Sequence, residues 1–407
     1  MKRSITGVFL LLGLGLGGCG DDGKNPDDAS PGGSGGGSQG GSGGSGDAGS
    51  KSGSSSSAGK QSSTGGTAPV PSTPPGSTPS PMPIISKDVP AFASSNTANS
   101  TPQKAQDLDP KSSWSSTAIP AWLSYDLSSV PAAQREQVLI AWYTGATLDF
   151  INDKPNADQH LPIDYTLELN KADGGGEPPS DGWEVIETVT GNDRNTRQRL
   201  VKLEGANWIR MNVTKSSNPQ AVGLDLDVHS APEGATDSWL FMGDSITFMS
   251  TSYLFSDLPA RVHELAESRY PAIIPGAIGG TNTNTALLAI DDTMANFPGR
   301  FVTLNYGTND HPNDYHMKEL VERVIAAGKA PVVPHMPWAP DAARQKEAQE
   351  INAIIDELYE AHPEIYRGPD LYALFEDRTD LIPTGDIHPN DDGQAELRQA
   401  WAEAMTR

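Results

Sequence analysis

Apolar and polar residues alternate along Val222–Val228, where Val222, Leu224, Leu226 and Val228 are separated by Gly223, Asp225 and Asp227. The same period of two runs through Ile209, Met211 and Val213, with Arg210 and Asn212 between them. It returns at Tyr165, Leu167 and Leu169, separated by Thr166 and Glu168. Successive side chains of a strand point to opposite faces, so each stretch reads as a strand with one face buried. Val138–Tyr143, Trp183–Val189 and Gln198–Leu203 add further short strands, and no helical period interrupts the series. Residues 110–232 are therefore expected to form an antiparallel, jelly-roll-like β-sandwich.

After Ser238 the pattern changes to strands alternating with helices. Trp239–Met242, Ala272–Pro275, Phe301–Tyr306 and Pro331–His335 are short apolar runs, with a weaker strand expected at Tyr372–Phe375. Between them the stripe Ile351, Ile354, Ile355, Leu358 and Tyr359 has helical spacing, and a last helix is expected over Gln394–Met405. This alternation predicts an α/β domain over residues 238–407, with a parallel sheet covered by helices on both faces. Ligands of such sheets bind beyond the carboxyl ends of the strands.

The amino-terminal part of the 407-residue chain has a different character. Lys2 and Arg3 precede an apolar stretch, Val8–Leu16, that is too short to span a bilayer. It runs into Leu16-Gly17-Gly18-Cys19, which resembles the lipobox of bacterial lipoproteins. That resemblance implies cleavage of residues 1–18 and a lipid on Cys19, with Gly20 in place of an inner-membrane retention aspartate. The expected location is the cell envelope, lipid-anchored, the outer membrane or cell surface before the inner membrane. Cys19 is the single cysteine of the chain, so no intrachain disulfide can form and cores must hold the exported domains. From Gly20 to Ser86 the chain is mostly Gly, Ser, Pro and Thr, which cannot offset its ordering entropy by burial. Residues 19–109 are expected to be a tether, whose loosest stretch, about 65 residues, has a coil span of roughly 45 Å. The net charge of −23 disfavours nucleic acid and other polyanions as partners.

Three turn segments follow expected strands: Gly243-Asp244-Ser245, Ile278-Gly279-Gly280-Thr281 and Gly307-Thr308-Asn309-Asp310. A fourth, Asp386-Ile387-His388-Pro389-Asn390, precedes the last helix. A neutral serine hydroxyl needs a base within hydrogen-bond reach, and imidazole is suited to that work near neutrality. The oxyanion of an acyl-transfer intermediate needs aimed donors, which helix-start N–H groups, glycine backbone and an asparagine amide can supply. Singly, each segment is also what a helix cap or a turn looks like. In this order and placement, they resemble the SGNH (GDSL-type) hydrolases over residues 238–407. The resemblance implies a three-layer α/β/α fold with Ser245 as nucleophile and His388 as general base. The oxyanion hole it implies is the N–H groups of Ser245 and Gly280 with the side chain of Asn309. A Gly-x-Ser-x-Gly elbow is absent, because Thr247 holds its last position. No His, Cys or Asp cluster has zinc-ligand spacing; neither metal nor cofactor is expected.

One position departs from the family pattern. The aspartate that orients the histidine usually stands three residues before it, where this chain has Gly385, and the nearest carboxylate is Asp386. Either Asp386 reaches the ring by another turn geometry or a backbone carbonyl holds Nδ1–H; the favoured expectation is the second, a Ser–His dyad with Asp386 contributing mainly through its backbone. A sandwich placed directly before such a domain resembles two-domain carbohydrate esterases that remove acetyl groups, some of which use a dyad. That implies a monomeric esterase acting on acylated carbohydrate, held near a membrane by its lipid. Trp183 or Trp208 is the candidate indole for stacking on sugar, and Trp338 for bordering the cleft. A lipase-like or lysophospholipid esterase and a non-catalytic glycan-binding lipoprotein are the alternatives.

Overall fold

The computed structural model describes residues 79–109, 112–145, 148–149, 154–155 and 160–407, with backbone alone for 148–149, 154–155 and 249–256. The expected signal peptide, Cys19 and the tether as far as residue 78 lie outside the described residues. No helix among the described residues is long and apolar enough to cross a membrane.

Two antiparallel sheets form the sandwich. Its strands are β1 (Ala91–Ala93), β2 (Trp114–Ser115), β3 (Ala121–Asp126), β4 (Gln137–Tyr143), β5 (Leu148–Asp149), β6 (Lys154–Pro155), β7 (Pro162–Asn170), β8 (Glu184–Val189), β9 (Thr196–Lys202), β10 (Trp208–Ser216) and β11 (Gly223–Ser230). One sheet has the order β1-β3-β10-β7-β8 and the other β2-β11-β4-β9, with β5 and β6 paired separately. The alternation read from sequence fixes the inner faces: Leu123, Tyr125, Leu167, Leu169, Ile209 and Met211 meet Ile140, Trp142, Leu224 and Leu226 in one core.

The sandwich begins earlier than residue 110. β1 pairs with β3, Ile85 N–H donates to Val228 O at 2.7 Å, and Gln106 donates to Val89 O at 2.9 Å. The last part of the expected tether is thus sandwich. Its polar composition concealed this, because Ser86 and Gln106 are buried through hydrogen bonds to backbone rather than through apolar contact.

β4 is apolar on both faces. Val138, Ile140 and Trp142 face the sandwich core, whereas Leu139 and Ala141 join the core of the following domain. A strand buried on both sides reads as an unbroken apolar run, and Val138–Trp142 is one. Both domains accordingly lie within one compact unit.

The second domain has the parallel sheet β13-β12-β14-β15-β16, formed by β12 (Ser238–Gly243), β13 (Ala272–Pro275), β14 (Phe301–Asn305), β15 (Ala330–His335) and β16 (Tyr366–Asp370). Its helices are α1 (Ser245–Leu265), α2 (Thr283–Leu287), α3 (Ile290–Asn296), α4 (Met317–Ala326), α5 (Ala342–Ala361), α6 (Leu371–Asp377) and α7 (Asp391–Thr406). Along β12, Trp239 and Phe241 point to the layer of α1, α6 and α7, and Leu240 and Met242 to the layer of α2–α5. The fold is the expected three-layer α/β/α sandwich. The last strand is displaced from the expectation: Tyr372–Phe375 is helix α6, capped by Asp370, which accepts from Ala373 N–H at 3.0 Å. Leu371 and Phe375 are buried one helical turn apart, while the true edge strand reads Tyr-Arg-Gly-Pro-Asp and carries no apolar alternation.

Candidate active site

The chain runs from β12 to β13 on one side of the sheet, then crosses to β14 on the other side of β12. The connections leaving β12 and β14 therefore part in opposite directions and leave a crevice at their carboxyl ends. Ser245 follows β12 and Asn309 follows β14, so both stand at that crevice.

Ser245 is the first residue of α1, ahead of which the side chain of Asp244 accepts from Ile246 N–H at 2.9 Å. Ser245 N–H is among the first N–H groups of α1, which have no partner within the helix and stand at its positive end. Asp244 is buried, and that burial pushes its carboxyl up to about 7, with Asp310 adding to the shift and the Ile246 N–H opposing it. The turn demands glycine at 243: a Cβ there would lie 2.2 Å from Thr247 Oγ1 and 2.7 Å from the carbonyl of Asn305.

His388 is delivered from the other end of the domain by the segment before α7. Asn390 caps that helix by accepting from Gly393 N–H, while its own N–H donates to Leu381 O at 2.8 Å. The imidazole Nε2 is 2.9 Å from Ser245 Oγ, and Nδ1 is 2.8 Å from Asp386 Oδ1. With Nδ1–H donating to the carboxylate, Nε2 is the lone pair that accepts from the serine hydroxyl.

This geometry corrects the expectation of a dyad. Asp386 Oδ1 accepts from the N–H groups of Ile387 and His388, at 2.7 and 3.1 Å, as well as from the ring. The side chain, not the backbone, orients the imidazole. Two residues of separation suffice because the chain turns back over the carboxylate. Partial burial pushes the carboxyl up, but the two N–H groups and the His388 ring outweigh it, holding it below its ordinary value.

The remaining expected donors converge on the same edge. Gly280 has φ +85°, a left-handed conformation that glycine adopts without strain. Asn309 is exposed, and its amide donates one hydrogen to Thr281 O at 2.9 Å, leaving the second for a ligand. Thr281 was not singled out by sequence reasoning; its hydroxyl also bonds to Ile278 O at 2.7 Å, so it ties together the two segments that carry Gly280 and Asn309. Asp310 lies behind them, accepting from Thr283 N–H at 3.0 Å and from the Thr283 hydroxyl.

Residues 241–396 match the family model of the GDSL-like lipases and acylhydrolases. The carboxyl-terminal domain is a GDSL-like acylhydrolase domain. Among solved structures, this domain's likenesses include a variant of an acetyl-xylooligosaccharide esterase from Geobacillus (13% identity, 42% of this chain and 94% of that one, TM-score 0.37). Another is the psychrotrophic esterase EstA from Pseudoalteromonas (17% identity, 42% and 96%, TM-score 0.33). A chitosan-binding module of a chitosanase/glucanase from Paenibacillus sp. IK-5 is also similar to part of the chain (18% identity, 36% and 97%, TM-score 0.28). No curated protein matches.

Of the candidate indoles, Trp208 is not available to a sugar. It is fully buried, with Nε1–H donating to Asp173 O at 3.2 Å, because the β7–β8 connection folds over the outward face of β10. Trp183 is half-buried; Nε1–H donates to Pro179 O and the Arg210 guanidinium stacks 4.0 Å from its ring centre. Trp338 is half-buried and packs against the apolar layer formed with α1 and α7, facing which it sits beyond β15. No group of three or more His, Cys, Asp or Glu side chains that could hold a metal ion occurs among the described residues.

Proposed function

We propose that this protein is a serine esterase that removes short acyl groups, acetyl foremost, from carbohydrate. The observation that carries the reading is the continuous relay Asp386–His388–Ser245, built from segments far apart in the chain and meeting within hydrogen-bond distance. In the proposed reaction Ser245 Oγ attacks the ester carbonyl while His388 Nε2 takes its proton. The proton then passes to the departing sugar oxygen, leaving an acyl-serine. Water enters, His388 again acts as base, and the carboxylic acid leaves. Ser245 N–H, Gly280 N–H and the Asn309 amide hold the oxyanion in both halves of the cycle.

Support for a sugar leaving group comes from the polar rim, where Asn309 and Asp386 are exposed, and from the sandwich fused to the domain with Trp183 on its surface. Trp338 is proposed as a further substrate contact. The enzyme is proposed to work as a monomer, lipidated on Cys19 and anchored at the cell envelope.

Turnover of acetylated xylan, acetyl-sugars, p-nitrophenyl esters of rising chain length and lysophospholipid by the purified protein tests this. The expected result is preference for acetate, abolished in Ser245→Ala and in His388→Ala, with losses of at least about 10³-fold. Preference for long acyl chains would replace the substrate, and sugar binding without any turnover would overturn catalysis.

A further inference from the structure

The oxyanion loop, residues 276–282, does not rest on packed side chains along its whole length. Behind it lies a cavity of about 60 Å³, walled on the acylhydrolase side by Leu240, Met242, Ala286 and Tyr306 and closed on the other by the start of β9. Toward β12 the loop is pinned by backbone bonds, Gly276 N–H to Phe241 O at 2.9 Å and Ile278 N–H to Gly243 O at 3.1 Å. Across the cavity its fastening comes from the sandwich. Asn195, nearly fully buried, donates its amide to Ala277 O at 3.4 Å, three residues before Gly280.

Asn195 sits in a braced turn. Asn192, also buried, donates to Pro162 O and to Arg194 O, both at 2.8 Å, and accepts from Arg197 Nε–H at 2.6 Å. Arg194 and Arg197 in turn both reach Asp292 of α3, at 3.1 and 3.5 Å. The turn thus grips the acylhydrolase domain at the start of the loop, on Ala277, and after it, on α3. Between those grips lie Gly280, one oxyanion donor, and Thr281, whose carbonyl holds the amide of Asn309, another.

We infer that the sandwich is a positioning element of the active site: Asn195, with Arg194 and Arg197 on Asp292, fixes the loop that sets Gly280 and Asn309. A cavity behind a loop removes the steric restraint that close packing normally supplies, so directional polar anchors decide where its donors point. Donor placement matters steeply, since a misplacement of about 1 Å can cost on the order of 10²-fold in rate. Asn195 is a positioning residue, acting through the loop and not on substrate.

This inference rests on the esterase reading, and the test keeps the two apart by assaying wild-type protein alongside its variants on p-nitrophenyl acetate. No turnover by wild type sinks the esterase reading. Given turnover, Asn195→Ala is expected to lose roughly tenfold in kcat, with KM within about twofold and the pH–rate profile unmoved, because His388 and Asp386 are untouched. Asn195→Asp, which keeps the shape but cannot donate to Ala277 O, is expected to lose as much; a space-filling role would be rescued by it. Wild-type kcat in either variant, with thermal unfolding intact, overturns the inference. Should both fail to fold, Asp292→Asn decides from the more exposed grip: a fall in kcat of about threefold supports the inference, and an unchanged kcat overturns it.

Discussion

Asp386 carries more of the proposed chemistry than its spacing suggests. Its carboxylate is half exposed, at 50%, against 28% for the His388 side chain, so it is an orienting group that water can partly replace. Its three N–H contacts hold it ionised and fixed, which in turn keeps the His388 proton on Nδ1. Asp386→Asn keeps the shape but presents an amide that favours the wrong tautomer. The expected outcome is a kcat on p-nitrophenyl acetate lower by between about 10² and 10⁴, with KM little changed. Turnover within about threefold of wild type would mean that the ring is held without the carboxylate. The placement of Ser245, His388, Gly280 and Asn309 was legible because each follows a strand or precedes a helix. The role of Asp386 was not, because sequence separation does not say which way a five-residue turn folds.

Elements were legible wherever apolar and polar residues alternate, as in β7, β10 and β11, although the polar residues Asp225, Asp227 and His229 of β11 are themselves buried. They were hidden where burial is achieved by other means. β16 is an edge strand with Gly368 and Pro369 in place of alternating apolar residues, and its neighbour α6 absorbed the apolar signal instead. The segment around β1 is polar in composition yet is held to the sheets by backbone hydrogen bonds. The strand–turn–helix of the nucleophile is the most constrained element, since β12, β14 and the first turn of α1 leave no volume at position 243. Gly243→Ala drives a methyl into Asn305 O, which belongs to backbone and cannot rotate away. The expected cost is about 1–3 kcal/mol of stability, seen as a lower unfolding temperature. Activity should fall at temperatures where the variant is still folded, because the displaced turn carries Ser245. An unfolding temperature equal to wild type would show that the turn yields more readily than this geometry allows.

At the scale of the whole molecule, the two domains meet over polar as well as apolar surface, and that seam should titrate. Asp227 and His229 lie on β11 and line a small cavity of about 30 Å³ with Pro259 of α1 and Tyr270 and Pro271 ahead of β13. Asp227 Oδ1 and His229 Nε2 are buried without a hydrogen-bond partner among the described residues. Burial pushes the Asp227 carboxyl up to about 7, opposed by the Tyr143 hydroxyl and reinforced by Asp107; Asp225 beside it is raised as well. Burial pulls the His229 imidazole down to about 4, opposed by the Met82 carbonyl. For Asp227 the folded state holds a proton that the unfolded chain releases, so its contribution is present at low pH and is lost as pH rises from about 4 through 7. For His229 the unfolded chain takes up a proton that the folded state refuses, so its contribution is present above about 6.5 and is lost as pH falls toward 4. Between those limits the two slopes, each about 1.4 kcal/mol per pH unit, oppose one another. His229→Gln removes one side of this balance and should make stability fall with rising pH across that window. Asp227→Asn should make stability rise with pH relative to wild type across the same window, since the raised carboxyls of Asp225 and Asp244 are common to both proteins. Urea or thermal unfolding of both variants at several pH values between 4.5 and 6.5 reads the two signs directly. Parallel profiles in the two variants would mean that the seam opens to water before either group titrates.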